Sequence, residues 1–258
     1  MPTTPAFAKL RTLMIRWYCG LLLLVAAAVH AQTAADIGAA GPRYQTRQQH
    51  DPDGTGKFYM EREIAQVMGP AGMAWLDRPE RVDEEQPDLL LAALELTGGE
   101  TVVDFGAGSG YYTFKLAQAV GPRGAVIAAD IEPKMLDFIR VRAARERLTN
   151  IGLVRCTDTD PRLPVNRVDV ILLVDVYHEL SFPYEVMNKL RAALKPNGRI
   201  VLVEFRAEDP AVPIKPVHKM SAAQVIKELT AAGLKHTRTV GTLPWQHVLI
   251  FSKADTGQ

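Results

Sequence analysis

TVVDFGAGSG, residues 101–110, runs directly into YYTFKLAQAV, residues 111–120. Thr101 to Phe105 reads as a short buried strand. Gly106, Gly108 and Gly110 then let the chain turn sharply into a helix while leaving the main chain bare. Such a corner accepts a bulky planar or charged group against the backbone, with the N–H groups of the first helical turn facing it. The spacing is GxGxG. It is neither the GxGxxG of a dinucleotide fold nor the GxxxxGK[ST] of a phosphate-binding loop.

Working outward, strands and helices alternate. Ala125 to Ala129 reads as a strand leading to Asp130, Pro133 to Arg147 as a helix with proline in its first turn, and Ile151 to Cys156 as a third strand. Val168 to Val174, VDVILLV, is continuously apolar, as a strand covered on both faces should be. Tyr184 to Leu194 and Ala222 to Ala232 read as helices, and Arg199 to Phe205, Leu234 to Gly241 and Gln246 to Phe251 as further strands. This alternation predicts a mostly parallel sheet with helices on both faces, and ligands then bind beyond the carboxyl ends of the strands. Three acids stand there in order. Asp104 lies inside the first strand, where an acid needs fixed partners. Asp130 ends the second, placed to accept both hydroxyls of a ribose. Asp158 follows the third, within reach of an exocyclic amine. Together they describe a nucleoside-shaped slot.

VVDFGAGSGYYTFKLA, VIAADIEPKML, the acid at Asp158, DVILLVDVYHEL and LKPNGRIVLVE resemble the successive motifs of the class I methyltransferases that use S-adenosylmethionine. The resemblance covers residues 97–252. It implies an α/β, Rossmann-like methyltransferase fold: a mostly parallel seven-stranded sheet whose antiparallel last strand, His247 to Phe251, inserts beside the sixth. It implies S-adenosyl-L-methionine as cofactor, with Gly106, Ala107 and Gly108 holding its methionine part and Asp104 orienting the loop and the amino group. Asp130 would bind the ribose hydroxyls, Asp158 the adenine amine, with Ile131 and Thr157 beside the ring. Asp175 would border the cofactor after the fourth strand.

For the acceptor side, the loop DVYHEL places Tyr177 and His178 where related enzymes hold the methyl group and the substrate. Amino-group methyltransferases of nucleic acids carry an Asn or Asp, Pro, Pro, Tyr or Phe loop at this point. That departure, with thirty basic against twenty-nine acidic residues and a net charge of +1, argues against a nucleic-acid partner and for a small-molecule acceptor. His178 is a candidate general base, or else it and Tyr177 orient the cofactor. Arg206 and His218 complete the candidate catalytic set. Arg206, Lys215 and Lys219 suit an anionic substrate, although a structural Glu204–Arg206 pair is the preferred reading. His178, His218 and His247 show no HxH or HxxxH spacing, and no metal is expected. The alternative to an enzyme is a noncatalytic scaffold that retains the nucleoside or S-adenosylmethionine slot.

The chain has 258 residues, 47% hydrophobic and 23% charged, ordinary values for a globular protein. Lys9, Arg11 and Arg16, the apolar run Leu21 to Val29, and Val29-His30-Ala31 before Gln32 read as a signal peptide or short membrane anchor over residues 1–31. A periplasmic or secreted location is the main reading, with membrane-anchored or cytoplasmic alternatives. Membrane contact is expected only through this segment. Residues 32–96 read as a flexible lead-in to about residue 50 followed by a helical extension, and residues 97–258 as the methyltransferase domain. Within the extension, Asp51, Asp53 and Gly56 resemble the start of a calcium loop, but Arg62 stands at the twelfth position and a turn is preferred. Glu61 to Met68 reads as a helix. Asp83 would cap another from Glu84, with Gln86 as capping-box partner, and Glu84 and Glu85 either serve the helix dipole or line a pocket. Trp75, Arg78 and Arg81 either close over a ligand or pack the extension onto the domain.

Overall fold

The computed structural model describes residues 43–254. The signal segment expected at 1–31 and the lead-in through residue 42 lie outside the described residues.

The first described elements are β1 (Tyr44–Thr46), β2 (Gly54–Tyr59) and β3 (Arg62–Ala65), an antiparallel sheet in the order β1-β2-β3. This replaces both the end of the expected lead-in and the expected helix at 61–68. Met60 and Glu61 have φ of 48° and 76°, so a two-residue turn with both central residues left-handed reverses the chain. Such turns normally carry Asn-Gly. Here the Met60 carbonyl is held from outside, accepting from Gln224 Nε2 (3.0 Å) and Lys227 Nζ (3.3 Å). The turn preferred at residues 51–54 is present, with the Gly54 N–H donating to the Asp51 carbonyl (2.9 Å).

Three short helices follow: α1 (Met73–Leu76), α2 (Arg81–Glu85) and α3 (Pro87–Ala93). Asp83 does not cap a helix at Glu84; it lies within α2. Gln86, at φ 48°, breaks the segment in two, because Pro87 disfavours helical backbone in the residue before it and then starts α3 itself.

The main sheet contains β4 (Thr101–Phe105), β5 (Ala125–Asp130), β6 (Ile151–Arg155), β7 (Val168–Val174), β8 (Leu194–Phe205), β9 (Leu234–Val240) and β10 (Gln246–Lys253). Its order is β6-β5-β4-β7-β8-β10-β9. β4 pairs in parallel with β5 and β7, while β10 is antiparallel to both β8 and β9. This is the seven-stranded, Rossmann-like arrangement expected, including the inserted antiparallel strand. The helices α4 (Tyr111–Val120), α5 (Pro133–Glu146), α6 (Pro183–Ala193) and α7 (Ala222–Ala231) cover it.

The two-residue period of the strands divides the core into layers. Val103, Ile171, Leu173, Ile200 and Leu202 pack on one face with Met187 and Leu190 of α6 and Leu229 of α7. Val102, Val170, Leu172, Val201 and Val203 pack on the other with Leu90 of α3 and Leu116 of α4. With both faces dry, polar groups gather at the carboxyl ends of β4, β5, β7 and β8, where Phe105, Asp130, Val174 and Phe205 mark one edge.

Candidate functional site

A cavity of about 440 Å³ opens along that edge. It is lined by Gly106, Gly108 and Asp130, by Asp175, and by His178, Glu179 and His218.

The glycine loop is shaped by conformation and by crowding. Gly106 has φ +74°, and a Cβ there would stand 2.5 Å from Val176 Cγ2. A Cβ on Gly108, at φ +54°, would stand 2.8 Å from Leu76 Cδ1. The bareness inferred from sequence therefore serves packing as well as ligand approach. The segment around α1 straps over this loop, with Ser109 Oγ donating to Asp77 Oδ1 (2.9 Å). Gly106→Ala should cost about 1–2 kcal/mol for the left-handed backbone, before any contribution from the collision. Urea unfolding should show Gly106→Ala/Val176→Ala losing less stability than the two single losses predict, and simple additivity would refute the contact.

Asp130 receives two backbone N–H groups, Gly108 on Oδ2 (2.8 Å) and Glu132 on Oδ1 (2.8 Å). A carboxylate has about four acceptor positions, so these two bonds do not exhaust it, and Asp130 lines the cavity. Ile131 and Thr157 line it as well, and Asp158 stands exposed beside them. Asp104 and Ala107 are displaced from the main cavity and line a small recess beneath the loop, shared with Gly106 and Gly108.

Asp104 is buried, and its Oδ2 accepts from Thr113 Oγ1 (2.5 Å). Burial raises its pKa to about 6, against the opposing effects of the Thr113 hydrogen bond and Arg81 and with help from Asp130. Since the folded value exceeds that of an unfolded aspartate, this group's contribution to stability falls as pH rises from about 4 through about 6. Asp104→Asn should therefore gain stability relative to the parent across that window, by about 2–3 kcal/mol. Chemical denaturation at pH 4.5 and 7.5 checks this; an unchanging difference would contradict it.

Asp175 is the most conspicuous polar group in the cavity wall. Its backbone is left-handed at φ 53°, its Oδ2 accepts from Gln246 Nε2 (2.6 Å), and its buried Oδ1 has no partner. Burial, with Glu85 and Glu204 nearby, pushes its pKa well above the usual carboxylate range. A buried acid in strained backbone with one empty acceptor is an arrangement that a cationic ligand would complete.

Trp75, Arg78 and Arg81 all line the cavity, as does Glu85. Arg81 Nε donates to Glu85 Oε2 (2.7 Å) and Arg78 Nη2 to Glu85 Oε1 (3.1 Å), while Arg78 Nε donates to Glu84 (2.8 Å). The Arg78 guanidinium lies 3.7 Å from the Trp75 ring centroid. The extension thus supplies a wall of the site, and Glu85 is a lining residue.

Next to the cavity's histidines, the Glu204 carboxylate accepts the Tyr177 N–H on Oε1 (3.0 Å) and His178 Nδ1–H on Oε2 (2.6 Å). The partner of Glu204 is therefore His178, not the expected Arg206. His178 Nε2 faces His218 Nδ1 at 3.2 Å, and Glu179 Oε1 lies 3.9 Å from each of those nitrogens. Burial pulls the His178 imidazole down, but the Glu204 carboxylate overrides it and leaves the pKa above its ordinary value. Burial lowers His218, assisted by His178. Glu179 is raised to about 7 by burial, against the pull of His178.

Two expected catalytic residues lie outside the cavity. Tyr177 is fully buried, its hydroxyl donating to Glu228 Oε2 (2.8 Å). Arg206 Nη1 donates to the Leu243 and Gln246 carbonyls (both 2.8 Å), and Nη2 to that of Pro244, so its charge clamps the turn between β9 and β10. Lys219 Nζ is likewise turned onto the Asp209 and Val212 carbonyls (3.3 and 3.0 Å), whereas Lys215 does line the cavity. His247 stands on β10 with its buried Nε2 unpartnered, outside the His178–His218 pair.

Sequence reasoning missed Arg62 and Glu228. Arg62 Nε and Nη2 grip both Glu228 oxygens (2.8 and 2.9 Å), and its Nη1 donates to the His178 carbonyl (3.2 Å). β3 is thereby fastened to the histidine loop. The partners are 166 residues apart, and no local pattern signals the pairing.

Comparison with known proteins accords with this geometry. The family described as "Methyltransferase domain" matches residues 96–248. The ubiquinone/menaquinone biosynthesis C-methyltransferase UbiE of Ectopseudomonas mendocina is 31% identical over 116 residues, 43% of this chain and 45% of that protein. Its Pasteurella multocida counterpart is 31% identical over 113 residues, 42% of this chain and 40% of that one. The chain thus spans less than half the length of these curated relatives. A SAM-dependent methyltransferase from Aquifex aeolicus superposes with a TM-score of 0.68 at 26% identity, covering 72% of this chain and 98% of that one.

Proposed function

Because this chain belongs to the methyltransferase domain family, we propose that it transfers a methyl group from S-adenosyl-L-methionine to a small-molecule acceptor beside the histidines of the cavity. The observation that carries the reading is the unpartnered, buried Oδ1 of Asp175, a residue that lines the cavity together with Gly106, Gly108 and His178. It fits a cofactor that brings positive charge into the cavity. When bound, that cofactor supplies an electrophilic methyl carbon on a sulfonium, so the protein's task is alignment and exclusion of water.

We assign Asp130 to the ribose hydroxyls through its remaining acceptor positions, and Ile131, Thr157 and Asp158 to the base. Gly106 and Gly108, backed by Asp104, form the bed for the amino-acid part. His178 and His218 orient the acceptor and stabilise its deprotonated form, with Glu204 holding His178 in one ring orientation. Tyr177 and Arg206 are positioning residues, holding the histidine loop and the turn between β9 and β10.

Val67, Met68 and Trp75 line the cavity although each is substantially exposed, at 54%, 38% and 44%. An exposed apolar rim suits an apolar acceptor. The quinone precursors implied by the names of the UbiE relatives belong to that chemical class, and we extend the class to this chain. Incubation with methyl-labelled S-adenosylmethionine and a lipid extract of the source organism tests the proposal. A labelled, organic-soluble product that disappears with Asp130→Ala is expected. Cofactor binding without transfer to any small molecule would favour a scaffold.

A further inference from the structure

We propose that His178, Glu179 and His218 form a binding site for one divalent transition-metal ion of the zinc class, with a coordination position left open toward the cavity. The site stands on geometry independent of the methyl donor; its use in catalysis would rest on the function proposed above.

The three ligand atoms are His178 Nε2, His218 Nδ1 and Glu179 Oε1. Their separations of 3.2, 3.9 and 3.9 Å define a triangle whose corners are equidistant from one interior point. The product of these sides divided by four times the area puts that point about 2.1 Å from each atom, the length of zinc–nitrogen and zinc–oxygen bonds. A small tightening of the ligands lifts the ion out of their plane and leaves a fourth, tetrahedral position. All three residues line the cavity, so that position faces it.

The surrounding groups orient these ligands as a metal site requires. His178 donates Nδ1–H to Glu204, which leaves the Nε2 lone pair directed at the site. This is the carboxylate–histidine arrangement that fixes ring tautomer and ligand basicity around bound metals. Glu179 Oε2 accepts the Met68 N–H (3.3 Å), leaving Oε1 toward the two imidazoles. Two ring nitrogens facing each other at 3.2 Å must share something between them, either a proton or a cation. Glu179 and Glu204 supply compensating negative charge, and Arg62, which approaches through the His178 carbonyl, is matched by Glu228. Two imidazoles with one carboxylate select a borderline ion such as Zn²⁺ or Co²⁺ over Mg²⁺ or Ca²⁺, which prefer all-oxygen shells.

The test uses the intact chain, stripped with a chelator, desalted and titrated with Co²⁺ while visible absorption is followed; Zn²⁺ and Mg²⁺ are then added as competitors. One Co²⁺ per chain with the intense bands of a four-coordinate ion, displaced by Zn²⁺ but not by Mg²⁺, is expected. His218→Ala, in a half-buried loop position, should weaken Co²⁺ binding at least about 100-fold, and Glu204→Gln by about 10–100-fold. His236→Ala, a half-buried histidine on β9 that does not line the cavity, should leave it unchanged. Melting curves verify that the variants fold. Less than about 0.1 ion retained per chain, or equal affinity in the parent and a folded His218→Ala, overturns the proposal. Loss of metal with retained S-adenosylmethionine binding separates this site from the donor site.

Discussion

Asp130→Ala should weaken S-adenosylmethionine binding by about 100-fold, equivalent to roughly 3 kcal/mol, the largest loss expected from a single side chain on the donor side. Two effects combine in that figure. On the proposed assignment the variant loses the charge-assisted acceptors offered to the ribose, each expected to contribute about 1.5 kcal/mol or more. It also releases the Gly108 and Glu132 N–H groups, which Asp130 holds at 2.8 Å each, and so loosens the loop that beds the donor. Asp130→Asn separates them, because an amide oxygen can keep one backbone bond while presenting a weaker acceptor. Calorimetric titration should rank the affinities parent, Asn, Ala, with melting temperatures confirming a folded chain. Parent-like affinity in a folded Ala variant would remove Asp130 from the site.

Arg62→Ala should destabilise the protein by about 3–5 kcal/mol, because it leaves the Glu228 carboxylate uncompensated at full burial. Tyr177 Oη and Gln224 Nε2 still donate to Glu228 at 2.8 Å each, but neither supplies a positive charge. The pair Arg62→Met with Glu228→Gln should recover most of the loss, since the amide still accepts from Tyr177 and no charge is stranded. Urea denaturation of the two variants and the parent decides it. A loss below about 1 kcal/mol for Arg62→Ala would place the pair among ordinary surface contacts. Function should divide accordingly. Arg62 fastens β3 to the carbonyl of His178, so cobalt binding at the histidine cluster should suffer in the folded fraction while affinity at the proposed donor site, assigned to the glycine loop, Asp130 and Asp175, changes little.

The donor end was legible because its signals are local. TVVDFGAGSG carries a strand, a turn and a helix start in ten residues, and Asp130 closes a strand whose apolar residues announce it. Glycines at positive φ and acids at strand ends are sequence-visible consequences of where a parallel sheet opens. The inserted antiparallel strand came through the family resemblance rather than through periodicity. The acceptor end was legible only in part, because its partners are far apart in the chain. His178 and His218 are separated by 40 residues and Arg62 and Glu228 by 166, so spacing rules for metal ligands or ion pairs had nothing to act on. Tyr177 and Arg206 follow strands β7 and β8, which makes both candidates to face a ligand, although for Arg206 a structural pair with Glu204 is the preferred reading. Burial and carbonyl acceptors turn both inward instead. The β1–β3 sheet carries no local hairpin signal, because Met60-Glu61 makes a left-handed turn without glycine or asparagine, stabilised by groups on α7.

Equilibrium dialysis of the intact chain against labelled S-adenosylmethionine, with S-adenosylhomocysteine as competitor, tests the central claim most directly. One molecule bound per chain, at a micromolar dissociation constant and fully displaced by the competitor, is the predicted result. No retained label at donor concentrations approaching about 1 mM would contradict the account, since even a weak cofactor site with a binding free energy near −4 kcal/mol would be half filled there.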